Sequence, residues 1–352
     1  MANVVVTGGA GFLGARLARE LLAGGSLDVA GSGARPLSRL TLIDQVPVPP
    51  DLAADERVAA VRGDLVELFG PARPVPAAAP AGAGREALAG ADVIFHLAAA
   101  VSAECEADFD LGLRANLRAT ESLLAAGRAL GTNPVVVFAS SVAVFGASGE
   151  HPLPAVVDDH TLPNPQSSYG AQKVIGEQLL ADYTRKGFVR GRTIRLMTVS
   201  VRPGRPNAAA SGFLSGIIRE PLAGERASCP VDARTEVALA SPAKTITGLL
   251  CAAGSSDQAW GGRTAVNLPA LTVSVAEMVA ALERVAGPAV SALIDWVPDP
   301  AVAEIVTSWP ARFRAGRATG LGLTPDPDFD SVIRLHLAEA AAPPVTRLTR
   351  DG

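Results

Sequence analysis

The sequence predicts an α/β fold in which a doubly wound parallel sheet is followed by a smaller C-terminal α+β lobe. Three observations predict it. Over the first two thirds, short β-branched or apolar runs alternate with longer stretches whose apolar residues recur every three or four positions, the pattern of βαβ units with helices on both sheet faces. A glycine-rich turn, Thr7-Gly8-Gly9-Ala10-Gly11-Phe12-Leu13-Gly14, joins the first run to the first helix. Past about Pro203 the alternation gives way to a mixture of short helices and strands.

Strands are expected at Val4–Thr7, Leu40–Ile43, Ala59–Arg62, Val93–Leu97, Pro134–Ala139 and Gly191–Leu196, all near-continuous hydrophobic runs of the kind that both faces of a covered sheet require. Helices are expected at Phe12–Leu22, Leu113–Leu130 and Tyr169–Tyr183, each laying one apolar stripe on the sheet through right-handed crossovers. Gly24–Ser38 and Pro71–Gly84, rich in Gly, Ala and Pro, read as loop expansions. In the last third, Ser211–Arg219 and Val275–Val285 read as helices, the second capped by Ser274, and Ala265–Leu268 and Ala292–Val297 read as strands. The expected division is residues 1–200, with 228–264 returning to them, as the sheet domain, and 201–227 with 265–345 as the lobe. Residues beyond about Ala342 read as a frayed end.

With 352 residues, 48% of them hydrophobic, and a net charge of -4, the chain is long and apolar enough for a large core and has no basic footprint for nucleic acid. Cys105, Cys229 and Cys251 form neither a CxxC pair nor a zinc-type cluster, so they read as idle thiols and no metal is expected. No apolar run reaches the ~18 residues that a membrane span needs, and Val4-Val5-Val6 follows Met1 without a leader pattern. A cytoplasmic protein with no membrane partner is the expectation.

Glycines between a strand and a helix let backbone amides approach a pyrophosphate, and the helix N-terminus offers unpaired N–H groups to its charge. The spacing reads equally as Gly9, Gly11, Gly14 or as Gly8, Gly11, Gly14, and both predict a bound dinucleotide. The second expected strand ends at Asp44, whose carboxylate suits ribose hydroxyls and repels a 2′-phosphate, which favours NAD over NADP. Gly63-Asp64-Leu65 puts a second carboxylate where it faces the adenine amine, and the small residues of His96-Leu97-Ala98-Ala99-Ala100 let the chain pass close to a cofactor. His96, inside an apolar run, reads as a satisfied core histidine.

Tyr169 and Lys173 stand one helical turn apart on the same face. A phenol of pKa about 10 is a poor base at neutral pH unless a cation stabilises its phenolate, and Lys173 is expected to be that cation. Tyr169 is one of only two tyrosines, and it follows the strand whose end carries Ser140 and Ser141. Ser141 is then placed to hydrogen-bond the reacting oxygen, giving Tyr169, Lys173 and Ser141 as the catalytic set.

With these motifs together the chain resembles the extended short-chain dehydrogenase/reductase family, which includes NAD-dependent epimerases and dehydratases, over roughly Asn3 to Ala340. The resemblance rests on TGxxGxxG, Asp44, GDL, HLAA, Asn116 with Thr120, the serine segment and YxxxK. It implies a Rossmann-type sheet and NAD held by Gly8, Gly11, Phe12, Leu13, Gly14, Asp44, Asp64, Leu65, Leu97, Ala98, Ala99, Asn116, Ser140, Tyr169, Lys173 and Val199. Departures are Phe145, where many members carry Tyr, and Val199-Ser200-Val201, where sugar-nucleotide epimerases often have a Pro-containing turn.

Hydride transfer is common to dehydrogenases, epimerases and dehydratases on this scaffold, so the triad alone does not choose among them. Val142 and Ala143 stand where dehydratase relatives carry acids, which argues against loss of water. Arg195, Arg202, Arg205, Arg219 and Arg226 crowd one stretch, where a guanidinium fork clamps a carboxylate; at least three are expected to be solvated surface charges. Leu97–Ser102, Ala210–Gly216 and Ser241–Thr245 are similar to family members that oxidise a four-carbon sugar acid, D-erythronate, at C2 to the 2-keto acid. That similarity implies Ser102, Ser141, Tyr169, Thr198, Arg202 and Arg205 around the substrate. The alternatives are a sugar-nucleotide epimerase and a catalytically silent NAD-binding regulator. By the same resemblance the chain forms a homodimer through Leu113–Leu130 and Tyr169–Tyr183.

Overall fold

The computed structural model describes residues 1–70, 83–204 and 210–341. Residues 71–82 of the expected loop, the expected frayed end beyond Ala342, and Arg205 lie outside the described residues. The strands are β1 (Ala2–Thr7), β2 (Ser26–Asp28), β3 (Ala34–Asp44), β4 (Val58–Arg62), β5 (Val93–His96), β6 (Val135–Ser141), β7 (Val157–Asp158) and β8 (Arg190–Leu196), then β9 (Thr198–Val199), β10 (Ala227–Cys229), β11 (Glu236–Ala240), β12 (Val266–Asn267), β13 (Leu271–Ser274), β14 (Ile294–Trp296) and β15 (Phe313–Arg314).

The main sheet runs β12-β8-β6-β5-β1-β3, with β2 and β4 both on β3, and every ladder in it is parallel except β2–β3. From β1 the chain moves outward to β3 and β4, then returns to start the other half at β5. The strand order therefore reverses between β1 and β5, and a ligand crevice opens outside their carboxyl ends.

Side chains alternate faces along a strand. Val4 and Val6 of β1 accordingly pack with Leu17 and Leu21 of the helix Phe12–Gly24 and Leu249 of the helix Pro242–Gly254. Val5 packs on the opposite face with Leu123, Leu124 and Leu180 from the helices that end at Leu130 and Arg185. Fully burying each such leucine contributes about 1.5–3 kcal/mol. A second core, around Ile217, Met278, Leu282 and Ile333, holds the C-terminal lobe, whose sheets are β10–β14 and β13–β11–β9. No helix among the described residues is long and apolar enough to cross a membrane.

Three expectations need correction. Gly24–Ser38 is not a loop expansion: β2 folds back antiparallel on the start of β3, and the glycines that suggested a loop, Gly31 and Gly33, take φ of 74° and 90° in the tight turn between them. The strand expected in the lobe at Ala265–Leu268 is β12, which adds to the outer edge of the main sheet beside β8. The helix expected at Leu113–Leu130 begins with six residues, Leu113–Arg118, in π-helical form, a departure that periodicity alone cannot register.

Candidate active site

A cleft of about 650 Å³ follows the carboxyl edge of the main sheet, from Asp44 and Asp64 past Ser141, Tyr169 and Lys173 to Arg202, Ser211 and Trp309. Gly8, Gly11, Phe12, Leu13, Gly14, Leu65, Leu97, Ala98, Ala99, Ser102, Ser140, Thr198 and Val199 line it as well. Of the residues expected in the site, Arg205 lies outside the described residues and Asn116 lies behind the wall.

At the first end, Gly8 sits at φ 71°, where a Cβ would stand 2.8 Å from the Ala98 nitrogen, and a Cβ on Gly14 would stand 2.0 Å from the Gly8 carbonyl oxygen. Gly8, Gly11 and Gly14 line the cleft whereas Gly9 packs on Leu42, which decides between the two spacings. The helix Phe12–Gly24 has no side-chain cap and no acidic residue in its first turn. Its opening N–H groups and dipole therefore face the cleft with nothing of their own to neutralise, as an anion requires. The Asp44 carboxylate accepts from Ala10 N at 2.9 Å and Val46 N at 3.2 Å, which ties the glycine turn to the end of β3 and leaves acceptor capacity for hydroxyls. These residues fit a dinucleotide pyrophosphate and its ribose.

Asp64 lines the same end and is held by several donors. Its Oδ1 accepts from Val66 N and Glu67 N at 2.8 and 3.2 Å, capping the helix Leu65–Phe69, while Oδ2 accepts from Gln45 Nε2 and Arg114 Nε at 3.3 and 3.2 Å. Four donors engage the carboxylate, so Asp64 also shapes the end of the cleft that it lines. Ser140, also on the cleft, donates its hydroxyl to Glu177 Oε1 at 2.5 Å.

At the other end, Ser167 caps the helix Ser168–Arg185 by accepting from Gly170 N at 3.1 Å. Gly170 lets that helix pass so close to the end of β6 that a Cβ there would stand 2.1 Å from the Ala143 carbonyl oxygen. Tyr169 and Lys173 are thereby brought beside Ser141. The Lys173 ammonium lies 5.6 Å from the Tyr169 ring centroid and donates to the Ala139 carbonyl at 2.9 Å. Ser141 Oγ accepts from Ala143 N at 3.1 Å, and its hydroxyl also meets the Tyr169 phenol.

Burial at the cleft floor pushes the Tyr169 phenol up to about 12, opposed by the Ser141 hydroxyl and Arg202, and brings Lys173 down to about 8. Burial of the phenol thus works against its ionisation, and Lys173, one helical turn away, is held on the Ala139 carbonyl.

His96 is buried between two hydroxyls, Thr7 Oγ1 at 2.8 Å from Nδ1 and Thr120 Oγ1 at 2.9 Å from Nε2. Since Thr120 donates to the Asn116 carbonyl at 2.6 Å, it accepts from His96 Nε2–H, and Nδ1 accepts from Thr7. Burial brings this imidazole down to about 3, so it is the neutral core histidine that the sequence indicated. The Asn116 side chain accepts from Ala100 N at 2.9 Å and donates to Gln172 Oε1 at 2.7 Å. It braces the loop after β5 from behind and makes no cleft wall.

The arginine stretch resolves into separate roles. Arg195 is buried against Glu177, Arg219 pairs with Glu220 and donates to the Arg202 carbonyl, and Arg226 pairs with Asp295 at the surface. Among the described members only Arg226 is well solvated, where at least three of the five were expected to be. Among the described members of the stretch, Arg202 alone lines the cleft, held by bonds to Val199 O and Ser211 Oγ at 3.0 and 3.1 Å. Phe145 is fully buried under Arg195, away from the cleft. Sequence reasoning missed Glu104 and Trp309 on the cleft and the Glu177–Arg195 pair beneath it. Trp309 follows the helix Pro300–Thr307, and only its rarity, as one of three tryptophans, marked it.

Residues 4–237 match the NAD dependent epimerase/dehydratase family. The chain is 48% identical to a D-erythronate dehydrogenase of Cupriavidus necator over 96% of its length and 98% of that protein's. It is 39% identical to a D-erythronate dehydrogenase of Haemophilus influenzae over 94% of its length and 98% of that protein's. A solved structure named as a nucleoside-diphosphate-sugar epimerase, from Agrobacterium tumefaciens, superposes with a TM-score of 0.83 at 39% identity, covering 96% of this chain and 94% of that one. A matching stretch of that extent, with the glycine turn and the Tyr169–Lys173 helix on one cleft, makes this chain a member of the NAD dependent epimerase/dehydratase family, the extended short-chain dehydrogenases.

Proposed function

We propose that this protein oxidises the C2 hydroxyl of D-erythronate to the 2-keto acid in an NAD-dependent reaction at the Ser141–Tyr169–Lys173 end of the cleft. The observation that carries the reading is likeness over nearly the whole chain to two proteins named D-erythronate dehydrogenase. When bound, NAD supplies a cationic ring that accepts the hydride leaving C2. Gly8, Gly11, Phe12, Leu13 and Gly14 would hold its pyrophosphate, Asp44 its adenosine ribose, and Tyr169 and Lys173 the ribose next to the reacting ring.

In this reading ionised Tyr169 takes the C2 hydroxyl proton and becomes the neutral phenol as C2 gives up its hydride, and positive charge around the phenolate has to overcome the burial that disfavours it. Ser141, already accepting from Ala143 N, donates its own O–H to the reacting oxygen. Lys173, fixed on Ala139 O, orients the ribose and contributes charge. Arg202 presents its guanidinium to the substrate carboxylate, with Ser102, Thr198 and Ser211 for its hydroxyls and Trp309 closing the lobe side.

The Agrobacterium protein's name favours a second reading, a sugar-nucleotide epimerase. NADH absorbance with NAD and a panel of sugar acids separates the two: D-erythronate is expected to give sustained NADH. Interconversion of a UDP-hexose without NADH from any four- or five-carbon acid would overturn the proposal.

We also infer a cytoplasmic homodimer in which the lobe binds the substrate. Support comes from three unpaired cysteines, as in a reducing compartment, and from Ile175, 47% exposed on the Ser168–Arg185 helix. A sizing measurement tests the dimer.

A further inference from the structure

We propose that Glu177, clasped by Arg195 and Ser140, is a positioning residue that fixes the end of β6 from which Ser141 faces Tyr169 and supplies the carboxylate one helical turn from Lys173. This rests on the reading of Tyr169, Lys173 and Ser141 as the reacting set. Tyr169, Lys173 and Glu177 follow one another at four-residue steps on one face of the Ser168–Arg185 helix. Lys173 and Glu177 are each only 3% exposed. The Glu177 carboxylate accepts from Arg195 Nε and Nη2 at 2.9 and 2.7 Å, a bidentate grip, and from the Ser140 hydroxyl at 2.5 Å.

Three successive residues of β6 are thus anchored in three ways. Lys173 holds the Ala139 carbonyl at 2.9 Å, Glu177 holds the Ser140 hydroxyl, and Ala143 N holds Ser141 Oγ. A strand end pinned at every residue gives Ser141 one orientation, and misplacement of a reacting group by about 1 Å is enough to cost catalysis heavily.

The charge of the pair matters as well as its shape. The groups facing Lys173 are Tyr169 and Glu177 from its own helix, Cys105 from the helix Ser102–Ala107 and the neutral His96 from β5, with Arg195 of β8 behind Glu177. Burial drives Lys173 towards the neutral amine, while Cys105 and then Glu177 oppose it; of these two, only Glu177 is a carboxylate. An ion pair that served as glue alone could be replaced by apolar residues of similar volume without loss.

The chain has only three lysines, Lys173, Lys186 and Lys244, so lysine-selective NMR of the cofactor-free protein can follow the Lys173 ammonium through its titration. In the double variant Glu177→Leu/Arg195→Met the Lys173 midpoint should fall by about one pH unit, with the alkaline limb of kcat moving by the same amount. Ser140→Ala should leave the midpoint in place and lower kcat severalfold. Should the double variant not fold, Glu177→Gln, which keeps the shape and the Ser140 acceptor, carries the same titration. A folded variant whose Lys173 titrates as in the parent overturns the proposal. No substrate enters this titration, so an error in the substrate assignment cannot be mistaken for its failure.

Discussion

The two ends of the cleft are built on opposite principles. The dinucleotide end consists of one short segment, residues 7–14, closed on the ends of two neighbouring strands, and it works through backbone N–H groups and missing side chains. The proposed substrate end gathers Ser102, Ser141, Tyr169, Thr198, Arg202, Ser211 and Trp309 from six stretches of chain, and it presents side chains whose orientation depends on partners behind them. A generic platform tolerates no added atom, whereas a specific site tolerates no lost brace.

Each end can be disturbed separately. Ser141→Ala should lower kcat by roughly 10²–10³-fold while NAD affinity stays within a few-fold, because only a donor to the reacting oxygen is lost; parallel losses of both would merge the two ends into one. Gly14→Ala forces a Cβ to within 2.0 Å of Gly8 O. The resulting strain of about 1–3 kcal/mol should weaken NAD binding roughly 10–100-fold, as calorimetry of the folded variant would show.

Between the two ends lies His96, held near 3 when folded against 6.5 for the free side chain. The unfolded chain therefore binds the extra proton between those values, so stability is complete above about 6.5 and declines as pH falls towards 3. From pH 7 to pH 5 His96 should remove about 2 kcal/mol of unfolding free energy in urea titrations, a slope that a His96→Gln protein lacks. Trp309→Ala should have the smallest effect, about a tenfold change in the relative kcat/KM of six-carbon over four-carbon sugar acids, with NAD affinity unchanged.

Legibility in the sequence follows the same contrast. The glycine turn, Asp44 and the Tyr169–Lys173 pair were readable because each lies within one local motif whose spacing carries the geometry. The donors on Asp64, the bracing bonds of Asn116 and Ser140, and the raised phenol were not, because each depends on residues 19 to 56 positions away or on burial. Arg202 was readable together with Arg205 out of an arginine stretch of five; the other three described members are occupied by Glu177, Glu220 and Asp295. The Gly24–Ser38 hairpin was missed for a simpler reason, since the same glycines serve loops and tight turns alike.

The most direct test combines equilibrium NAD binding with NADH formation from D-erythronate in a single Tyr169→Phe protein. The account predicts NAD affinity within a few-fold of the parent and turnover reduced by about 10³-fold or more, because the proton acceptor is gone while the platform remains. Turnover at the parental rate would contradict it.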